Sequence, residues 1–270
     1  MNLQAFQKDG KFLMLALDHR GSFVETLKKN KINYTDSTIV SLKQQLIQSV
    51  YNDMTGLLID PQYGFSAYQN SDHHEKLFLL CIEKSGYLED ATGRTTELEY
   101  EVEYLKNLGA SGVKLVLQIN PTHQSFKSQI DTGEYVFAHC KKYNLPFFLE
   151  FVTYGEGVKS EMITRSISAF LEAKIVPDVF KLEFPGDTHS CDAITQLLQK
   201  TPWILLTKGI GYEEFKKQLQ TATEHGASGF LAGRALWAEA MTKIDSVRNQ
   251  FIREELPRRF RELSSIVLKA

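Results

Sequence analysis

The sequence predicts a (β/α)8 barrel, from its length and from the alternation of two kinds of segment. The chain has 270 residues, and about 250 residues are typical of one barrel domain of this class. Short, continuously apolar runs alternate with longer amphipathic stretches. The runs are typical of strands buried on both faces, and the stretches are typical of helices that pack on a sheet. This alternation indicates parallel β–α–β units, and eight apolar runs favour a closed barrel over an open sheet.

Each apolar run is predicted to be one barrel strand, although the third run is also compatible with a helix. The runs are Phe12–Asp18, Gly56–Asp60, Leu77–Glu83, Gly112–Ile119, Pro146–Thr153, Val179–Pro185, Trp203–Gly209 and Gly229–Gly233. The predicted helices between them are Ser37–Asn52, Thr96–Leu108, Ser125–Tyr143, Glu161–Ala173, Cys191–Lys200 and Glu213–His225.

The domain organisation is expected to be simple. No Pro/Gly/Ser-rich linker and no block of like charge divides the sequence, so we expect one barrel domain over residues 1–270. The segment of about 244–270 is charged and has the apolar spacing of a helix. We interpret it as a C-terminal helical tail that packs either on the barrel or on another subunit. The second arrangement would make the protein a homo-oligomer.

Composition argues against several classes of function. Lys and Arg total 31 and Asp and Glu total 33, for a formal charge of -2, whereas a nucleic-acid binder usually shows a basic face. The three cysteines are widely spaced, and no His/Cys cluster predicts a metal site. An odd cysteine count without a disulfide framework fits a reducing compartment. No signal peptide and no stretch of the ~20 apolar residues of a membrane span is found, so we expect a cytoplasmic protein.

Charged residues interrupt four of the apolar runs. Asp18 ends the first run, and Lys114, Glu150 and Lys181 lie inside the fourth, fifth and sixth runs. A buried charge is costly unless it has a partner, and catalytic residues of these barrels come from the C-terminal ends of several strands. We therefore predict a shared polar centre. Glu183 lies on the same face as Lys181 and is expected to be a structural partner.

A purely structural explanation of these charges is the alternative hypothesis. Buried ion-pair networks also shift pKa values without any catalytic role. Asp18, taken alone, equally fits a cap or a structural ion pair at the end of a strand. The presence of Lys114, Glu150 and Lys181 together favours function over structure.

The set of lysines and carboxylates allows a specific chemistry. A lysine amine becomes nucleophilic when it is desolvated beside a second cation, and Lys181 and Lys114 could form such a pair. The amine would attack a ketone to give an iminium ion, which accepts electrons when a neighbouring carbon–carbon bond breaks. Glu150 could transfer the protons of these steps. This chemistry requires no metal or other cofactor.

The last two predicted strands are followed by glycine-containing loops, with sequences T-K-G-I-G and A-G-R-A. Phosphate sites in these barrels often use the loops after strands seven and eight together with a helix N-terminus. Glycine allows close approach of the backbone, and arginine supplies a cation, although either loop could equally be a tight turn. The candidate phosphate-binding residues are Thr207, Lys208, Gly209, Gly233 and Arg234.

Motifs along nearly the whole chain resemble one enzyme family. The matching segments are A-L-D-H-R-G (16–21), L-L-I-D-P-Q-Y-G (57–64), E-K-S-G-Y (83–87), G-V-K-L-V-L (112–117), P-F-F-L-E-F-V-T-Y (146–154), V-F-K-L-E-F-P (179–185), P-W-I-L-L-T-K-G (202–209) and G-A-S-G-F-L-A-G-R-A-L-W (226–237). The chain resembles the class I tagatose 1,6-bisphosphate aldolases and is similar to the sulfofructose-phosphate aldolases of the same superfamily.

The resemblance implies a role for each polar residue of the centre. Lys181 is implied to be the Schiff-base lysine, Glu150 the proton-transfer residue, Lys114 the neighbouring cation and Asp18 an active-site aspartate. Arg20, in the first motif, is a candidate substrate contact.

The resemblance also implies the reaction. Gly209, Gly233 and Arg234 are implied to hold a substrate phosphate. The substrate is a sugar phosphate, and the products are dihydroxyacetone phosphate and an aldehyde, without a metal cofactor.

Departures from the family pattern leave the second anionic group of the substrate open. His19 replaces a frequent Gln, and the loop at 207–209 reads Thr-Lys-Gly where Ser-(Ala or Ser)-Gly is usual. The region 186–201 lacks a longer insertion. The segments 60–64 and 151–154 are more similar to the tagatose branch, whereas the short chain is more similar to the sulfosugar branch.

Two further hypotheses stay open on sequence. One is a Schiff-base enzyme of another type, such as a transaldolase-like or thiolytic enzyme. The other is a non-catalytic protein that binds a sugar phosphate in a retained pocket.

Overall fold

The computed structural model describes residues 3–242 and 244–270. Their strands are β1 (Phe12–Leu17), β2 (Gly56–Ile59), β3 (Phe78–Cys81), β4 (Leu88–Asp90), β5 (Gly93–Thr95), β6 (Gly112–Ile119), β7 (Phe147–Thr153), β8 (Val179–Leu182), β9 (Trp203–Leu205) and β10 (Gly229–Ala232). All except β4 and β5 form a closed parallel barrel, in which β3 pairs with β6 and β10 pairs with β1. The predicted (β/α)8 barrel is confirmed.

Each predicted apolar run contains one barrel strand. The third run forms β3 and is not a helix, because its residues pair on both sides with β2 and β6 and are all buried. Several observed strands end before the predicted runs do. For example, β9 ends at Leu205, so Thr207 and Gly209 lie in the loop that follows it. The polar residues at the ends of these runs therefore belong to the upper edge of the barrel.

The connection from β3 to the next helix departs from the prediction. Residues 88–95 form an antiparallel hairpin of β4 and β5, which the sequence pattern did not indicate. The helix predicted over Thr96–Leu108 is shorter, spanning Val102–Asn107. Its first predicted turn is extended, because the backbone N–H of Lys84 donates to the Glu97 carbonyl at 2.8 Å. The hairpin thus stands at the mouth of the barrel.

Helices surround the barrel in the order expected. They are α1 (Gly21–Lys29), α2 (Asp36–Val50), α3 (Gly64–Gln69), α4 (Val102–Asn107), α5 (Phe126–Lys142), α6 (Lys159–Glu172), α7 (Thr188–Leu198), α8 (Tyr212–Glu224), α9 (Arg234–Trp237), α10 (Asp245–Gln250) and α11 (Leu256–Lys269). The prediction missed α1 and α3, whereas α9 begins at Arg234, where the A-G-R-A motif predicted the start of a helix. None of these helices is long and apolar enough to cross a membrane.

The C-terminal segment packs on the barrel. A π-helical turn over Phe251–Glu255 joins α10 to α11. The helix α11 contacts α2, α8 and α9, and it buries Leu256, Phe260, Leu263 and Val267. Of the two placements predicted for the tail, contact with the barrel is the one observed. The homo-oligomer stays a prediction.

The barrel interior is apolar below and charged above. A 3-10 helix at Leu3–Phe6 inserts Phe6 into the lower end, where it contacts the Phe148 ring at a centroid distance of 5.7 Å. The interior cluster is Phe6, Phe12, Met14, Ala16, Leu58, Leu79, Cys81, Phe148, Val179, Ile204 and Leu231. The strand register pairs Cys81 with Lys114 and Glu150 with Lys181, so the charges form a layer above this cluster.

Candidate active site

A cavity of about 330 Å³ opens at the C-terminal end of the barrel strands. Every site residue predicted from the sequence lines it except Gly209. The predicted residues that line it are Asp18, Arg20, Lys114, Glu150, Lys181, Thr207, Lys208, Gly233 and Arg234. Residues far apart in the sequence therefore meet at the end where barrels of this class carry their active sites.

Lys181 and Glu150 form a contact at the base of the cavity. The two residues are register partners on the neighbouring strands β8 and β7, so both side chains point to the barrel interior at the same height. Lys181 Nζ lies 2.9 Å from Glu150 Oε2, and the lysine is only 4% exposed. The amine thus has one carboxylate beside it and the cavity above it.

Lys114 has a more negative environment. Its Nζ lies 2.6 Å from Asp18 Oδ2 and 3.6 Å from Glu150 Oε2, and it also pairs with Glu83. Burial disfavours the charge on Lys114, but the carboxylates of Asp18, Glu83 and Glu150 outweigh burial and raise the pKa of Lys114 well above its ordinary value. Lys114 is therefore an ammonium ion throughout the physiological range of pH.

The expected pair of Lys181 and Lys114 has a carboxylate beside both of its members. One oxygen of Glu150 lies within 2.9 Å of Lys181 Nζ and 3.6 Å of Lys114 Nζ. The repulsion expected between the two amines is therefore offset by a carboxylate that contacts both. The contact makes Glu150 the group that couples the two lysines, and a nucleophilic Lys181 beside Lys114 stays a prediction.

Glu83 is a part of this centre that sequence reasoning missed. It is 4% exposed, pairs with Lys114, and accepts a bond from the Val116 backbone N–H at 3.3 Å. Burial raises the pKa of Glu83, and Lys114 offsets burial only in part. A signal was present in the sequence, because Glu83 ends the third apolar run just as Asp18 ends the first.

The pKa of Asp18 moves in the opposite direction. Burial would raise the pKa of this carboxyl, but the positive charge of Lys114, helped by that of Lys181, outweighs burial and lowers it below the ordinary value. Asp18 is therefore ionised, whereas Glu83 binds a proton more readily. The centre can hold two ammonium groups and three carboxyl groups without the full repulsion of three negative charges.

Arg234 lies where a phosphate was predicted to bind. It is the first residue of α9, and its guanidinium lies against Gly209, where an added Cβ would stand 3.0 Å from Arg234 Cζ. No carboxylate pairs with Arg234 among the residues that the structure describes, and its buried Nε has no hydrogen-bond partner. The helix α9 has only four residues. The predicted binding of a phosphate would therefore depend more on the guanidinium and the backbone N–H groups than on a helix dipole.

Lys208 and Arg20, both predicted to contact substrate, are already paired with carboxylates. Lys208 Nζ lies 2.9 Å from Glu183 Oε2 and donates to the Thr153 carbonyl at 3.0 Å. Glu183 is thus a structural partner, as predicted, but of Lys208. The buried guanidinium of Arg20 binds Glu99 and the Glu83 carbonyl.

Thr207 lies in the loop after β9, lines the cavity and is 6% exposed. Its carbonyl accepts a bond from the Ile210 N–H at 3.0 Å, which closes the turn that carries Gly209. The glycine adopts a φ of 78°, a backbone conformation that glycine tolerates and most residues do not.

His19 is a neutral group between the charged centre and Arg234. An added Cβ at Gly233 would stand 2.8 Å from His19 Cε1, so the glycine makes room for the ring. Burial lowers the pKa of His19 to about 3, and the positive charges of Arg234 and Lys181 act in the same direction. The imidazole can therefore exchange hydrogen bonds with a ligand without adding charge.

One group of residues has the spacing of a metal site among the described parts of the chain, namely Asp18, Cys81 and Glu83. Its chemistry does not favour a metal. The ammonium of Lys114 already binds both carboxylates. Burial raises the pKa of the Cys81 thiol well above its ordinary value, whereas a metal needs the deprotonated thiolate.

Comparison with known proteins identifies the family. Residues 12–239 match the family described as DeoC/LacD family aldolase. The chain belongs to this family. The aldolase is accordingly a lyase.

Relatives of the aldolase include several enzymes of one name. The chain is 28% identical to a tagatose 1,6-diphosphate aldolase of Listeria monocytogenes, covering 94% of the chain and 86% of the relative. It is 26% identical to an enzyme of the same name from Staphylococcus aureus, covering 88% of the chain and 84% of the relative.

Solved structures resemble the aldolase in fold. A Schiff-base-forming fructose-1,6-bisphosphate aldolase superposes with a TM-score of 0.71 at 19% identity, covering 98% of each chain. An archaeal fructose 1,6-bisphosphate aldolase superposes with a TM-score of 0.71, also at 19% identity, covering 100% of this chain and 98% of the other. At this identity the likeness establishes the barrel architecture.

Proposed function

We propose that this aldolase is a class I enzyme that cleaves a ketose bisphosphate to dihydroxyacetone phosphate and an aldehyde through a Schiff base on Lys181. The observation that carries the proposal is the contact of 2.9 Å between Lys181 Nζ and Glu150 Oε2 at the base of the cavity. The relatives named tagatose 1,6-diphosphate aldolase support a substrate of the tagatose 1,6-bisphosphate type.

Formation of the Schiff base uses both residues of this contact. Lys181 transfers a proton to Glu150, and the free amine attacks the C2 carbonyl of the ketose. Glu150 returns the proton to the carbinolamine hydroxyl, which leaves as water and gives a C2=N iminium ion. The first proton transfer takes place across the hydrogen-bonded distance of 2.9 Å between Lys181 Nζ and Glu150 Oε2.

Cleavage follows from the iminium charge. A base removes the proton of the C4 hydroxyl, the C3–C4 bond breaks, and its electron pair enters an enamine while the aldehyde leaves. Protonation of C3 and hydrolysis of the iminium release dihydroxyacetone phosphate and regenerate Lys181. Lys114 remains an ammonium ion during these steps and holds Glu150, Asp18 and Glu83 around the reacting carbons.

Substrate orientation comes from the phosphate on C1. Arg234 has no carboxylate partner among the described residues and lies beside Gly209 and Gly233, so a phosphate there can receive charge-assisted hydrogen bonds. Because the donor set at Asp18, Cys81 and Glu83 is neutralised by Lys114, we propose that the reaction is independent of a metal.

The second anionic group of the substrate is tested by a panel of sugars. Lys208, which replaces a small residue of the family motif, brings a further cation to the cavity wall, although Glu183 pairs with it. This observation favours retaining the sulfofructose phosphate as a second candidate substrate. Release of dihydroxyacetone phosphate is measured with tagatose, fructose and related ketose bisphosphates and with the sulfosugar phosphate. The proposed preference requires the highest kcat/KM for a ketose bisphosphate.

We also propose that residues 1–270 form one domain and that the protein is cytoplasmic. The packing of α11 against α2 and α8 supports a single domain. A cytoplasmic location is supported by the free, buried cysteines, which fit a reducing compartment, namely Cys81, Cys140 and Cys191. Limited proteolysis tests the domain, because a separate tail would be released while the barrel stays intact.

Borohydride trapping tests the reaction. Reduction of the enzyme in the presence of dihydroxyacetone phosphate should convert the iminium to a stable amine, and peptide mapping should find the adduct on Lys181. Lys181→Met is the negative control, and Lys208→Met, which removes a more exposed lysine of the cavity lining, should still be labelled. Label on Lys114 or Lys208 with Lys181 unmodified overturns the proposal.

A further inference from the structure

A buried lysine outside the cavity contacts the strand end that carries Asp18. Lys43 lies on α2 and is 0% exposed. Its ammonium donates to the carbonyl oxygens of Leu17 and His19, each at 2.8 Å, and pairs with Asp60, which is also fully buried. Lys43 is absent from the cavity lining, so it does not touch substrate.

We propose that Lys43 is a positioning residue that fixes the backbone on both sides of Asp18 and thereby sets the geometry of the catalytic centre. This inference rests on the proposed function. Leu17 and His19 are the two neighbours of Asp18 in the chain, and both of their carbonyls accept from one ammonium. Free rotation of the peptide units around Asp18 is therefore blocked from the side opposite the cavity.

Asp18 needs this restraint because β1 ends at Leu17. Beyond that residue no strand pairing holds the backbone, yet Asp18 Oδ2 must stay 2.6 Å from Lys114 Nζ. His19, next in sequence, must fit beside Gly233. Strand pairing ends at Leu17, and the hydrogen bonds from Lys43 hold the backbone beyond this point. Asp18 and His19 line the cavity from this segment.

Asp60 anchors the ammonium from the next strand. It follows β2 directly, and its carboxylate accepts from the backbone N–H groups of Tyr63 at 2.7 Å and Gly64 at 3.2 Å. A side chain at Gly64 would collide with Asp60 Oδ2, which lies 2.9 Å from an added Cβ. Lys43 thus joins the end of β1 to the end of β2 through groups that are rigidly bound themselves.

The cost of this arrangement argues for a purpose beyond packing. An apolar residue at this position would fill the space between α2 and the barrel, and replacing a buried ion pair by apolar groups is often neutral or stabilising. Rings of Phe23 and Tyr63 surround the ammonium at 5.4 and 5.9 Å, which shows how apolar the surroundings are. A charge is useful here because it donates to two carbonyls at once.

A pair of variants separates positioning from stability. Lys43→Met removes the donor and leaves Asp60 as a lone buried charge, so it should lose both thermal stability and activity. The double variant Lys43→Met/Asp60→Asn removes both charges with little change in volume, and should regain thermal stability. If Lys43 positions Asp18, the double variant stays impaired, because the carbonyls of Leu17 and His19 still lack their donor.

The activity is measured as kcat per site, with sites counted by borohydride labelling of Lys181. A displacement of about 1 Å in a catalytic group can cost on the order of a hundredfold, and we expect kcat per labelled site to fall at least about tenfold in both variants. The loss should appear in kcat more than in KM, since Lys43 has no contact with Arg234 or Gly209. Misfolded molecules would lower the count of sites and leave kcat per site unchanged.

A matched control comes from a second buried cation. Arg259 on α11 pairs with Glu239 and Glu255 away from the cavity. Arg259→Met should lower the melting temperature and leave kcat per labelled site at the wild-type value.

Each outcome has one meaning. If the wild-type enzyme forms no adduct at Lys181, the proposed function is wrong, whatever Lys43 does. If the wild type is labelled and the double variant recovers kcat per site together with stability, Lys43 has only a structural role and the inference is overturned. Loss of kcat per site in the double variant, beside normal values for Arg259→Met, supports it.

Discussion

Two lysines in the same charged layer of the barrel have different surroundings. Lys114 on β6 and Lys181 on β8 flank β7, and both contact one oxygen of Glu150. Lys114 also binds Asp18 and Glu83, whereas Glu150 is the carboxylate paired with Lys181 among the described residues. Two residues of one type, a strand apart, thus differ in the number of negative charges that hold them.

Under the proposed function, this difference gives the two lysines different roles. A lysine among three carboxylates keeps its proton and acts as a fixed charge. A lysine with one carboxylate can give its proton to that carboxylate and become a nucleophile. The proposed roles depend on Asp18 and Glu83, which follow β1 and β3 and are distant in sequence from both lysines.

The largest effect on activity is expected from removing the Glu150 carboxylate, which contacts both lysines. Glu150→Gln keeps the volume of the side chain but cannot take up a proton from Lys181. General acid–base catalysis is typically worth about 10²–10⁴-fold, so kcat should fall by that factor. Steady-state turnover, normalised to folded protein by circular dichroism, measures it.

A carboxylate outside the centre provides the control for Glu150→Gln. Glu99 is more exposed and pairs with Arg20, so Glu99→Gln should lose far less activity. Turnover close to wild type in Glu150→Gln would remove Glu150 from the mechanism and leave the two lysines without a shared proton acceptor.

The next effect concerns stability and contrasts the two lysines directly. Lys114→Met leaves Asp18 and Glu83 without the lysine that pairs with them, and breaking a buried ion pair costs about 3–5 kcal/mol. Lys181→Met should cost less, because Glu150 still has Lys114 at 3.6 Å. Denaturant unfolding of both variants at neutral pH measures the difference. Equal losses of unfolding free energy would mean that the carboxylate count does not distinguish the lysines.

Sequence predicted the parts of this centre that lie inside strands. Lys114, Glu150 and Lys181 stand out because a charge inside an apolar run has few structural explanations, and parallel register then brings them to one layer. Asp18 and Glu83 each stand at the end of a run, where charges are common; Asp18 was predicted together with its motif, whereas Glu83 was missed. The contact of Glu83 with Lys114 depends on the pairing of β3 with β6, which no local sequence pattern predicts.

Groups that act through tertiary contacts were harder to predict. Lys43 occurs in a helix whose apolar spacing is ordinary, and a lysine in such a helix normally reaches solvent. Arg20 was predicted to contact substrate, but its guanidinium is bound to Glu99, which follows the unpredicted hairpin of β4 and β5. Both cases require knowledge of which loop folds back onto the strand ends.

A smaller effect is expected at Arg234, the proposed contact of the substrate phosphate. Arg234→Ala removes charge-assisted hydrogen bonds worth roughly 1.5–3 kcal/mol, so kcat/KM should fall on the order of tenfold to a hundredfold. If phosphate binds equally well in the ground state and the transition state, the loss appears mainly in KM. Borohydride labelling of Lys181 at saturating substrate should be retained.

A non-phosphorylated ketose supplies the control for Arg234→Ala. Its turnover should be the same in wild type and variant, compared at matched protein stability, because it has no group for the guanidinium to bind. An equal loss with phosphorylated and non-phosphorylated substrates would show that Arg234 supports the fold and not the phosphate.

The last effect depends on pH, is absent at neutral pH, and concerns His19. Its folded-state pKa is about 3, below the ordinary value of 6.5, so between these values the unfolded chain binds a proton that the folded chain does not. Stability therefore falls as the pH decreases through this window, by up to about 1.4 kcal/mol per pH unit from this residue. His19→Gln removes the titrating group, so the variant should lose less unfolding free energy between pH 7 and pH 4 than the wild type. Measurements at pH 8, where the imidazole is neutral in both states, give the packing effect of the substitution alone. Identical slopes below pH 6.5 would mean that burial and the neighbouring cations do not lower the pKa of His19 in the folded protein.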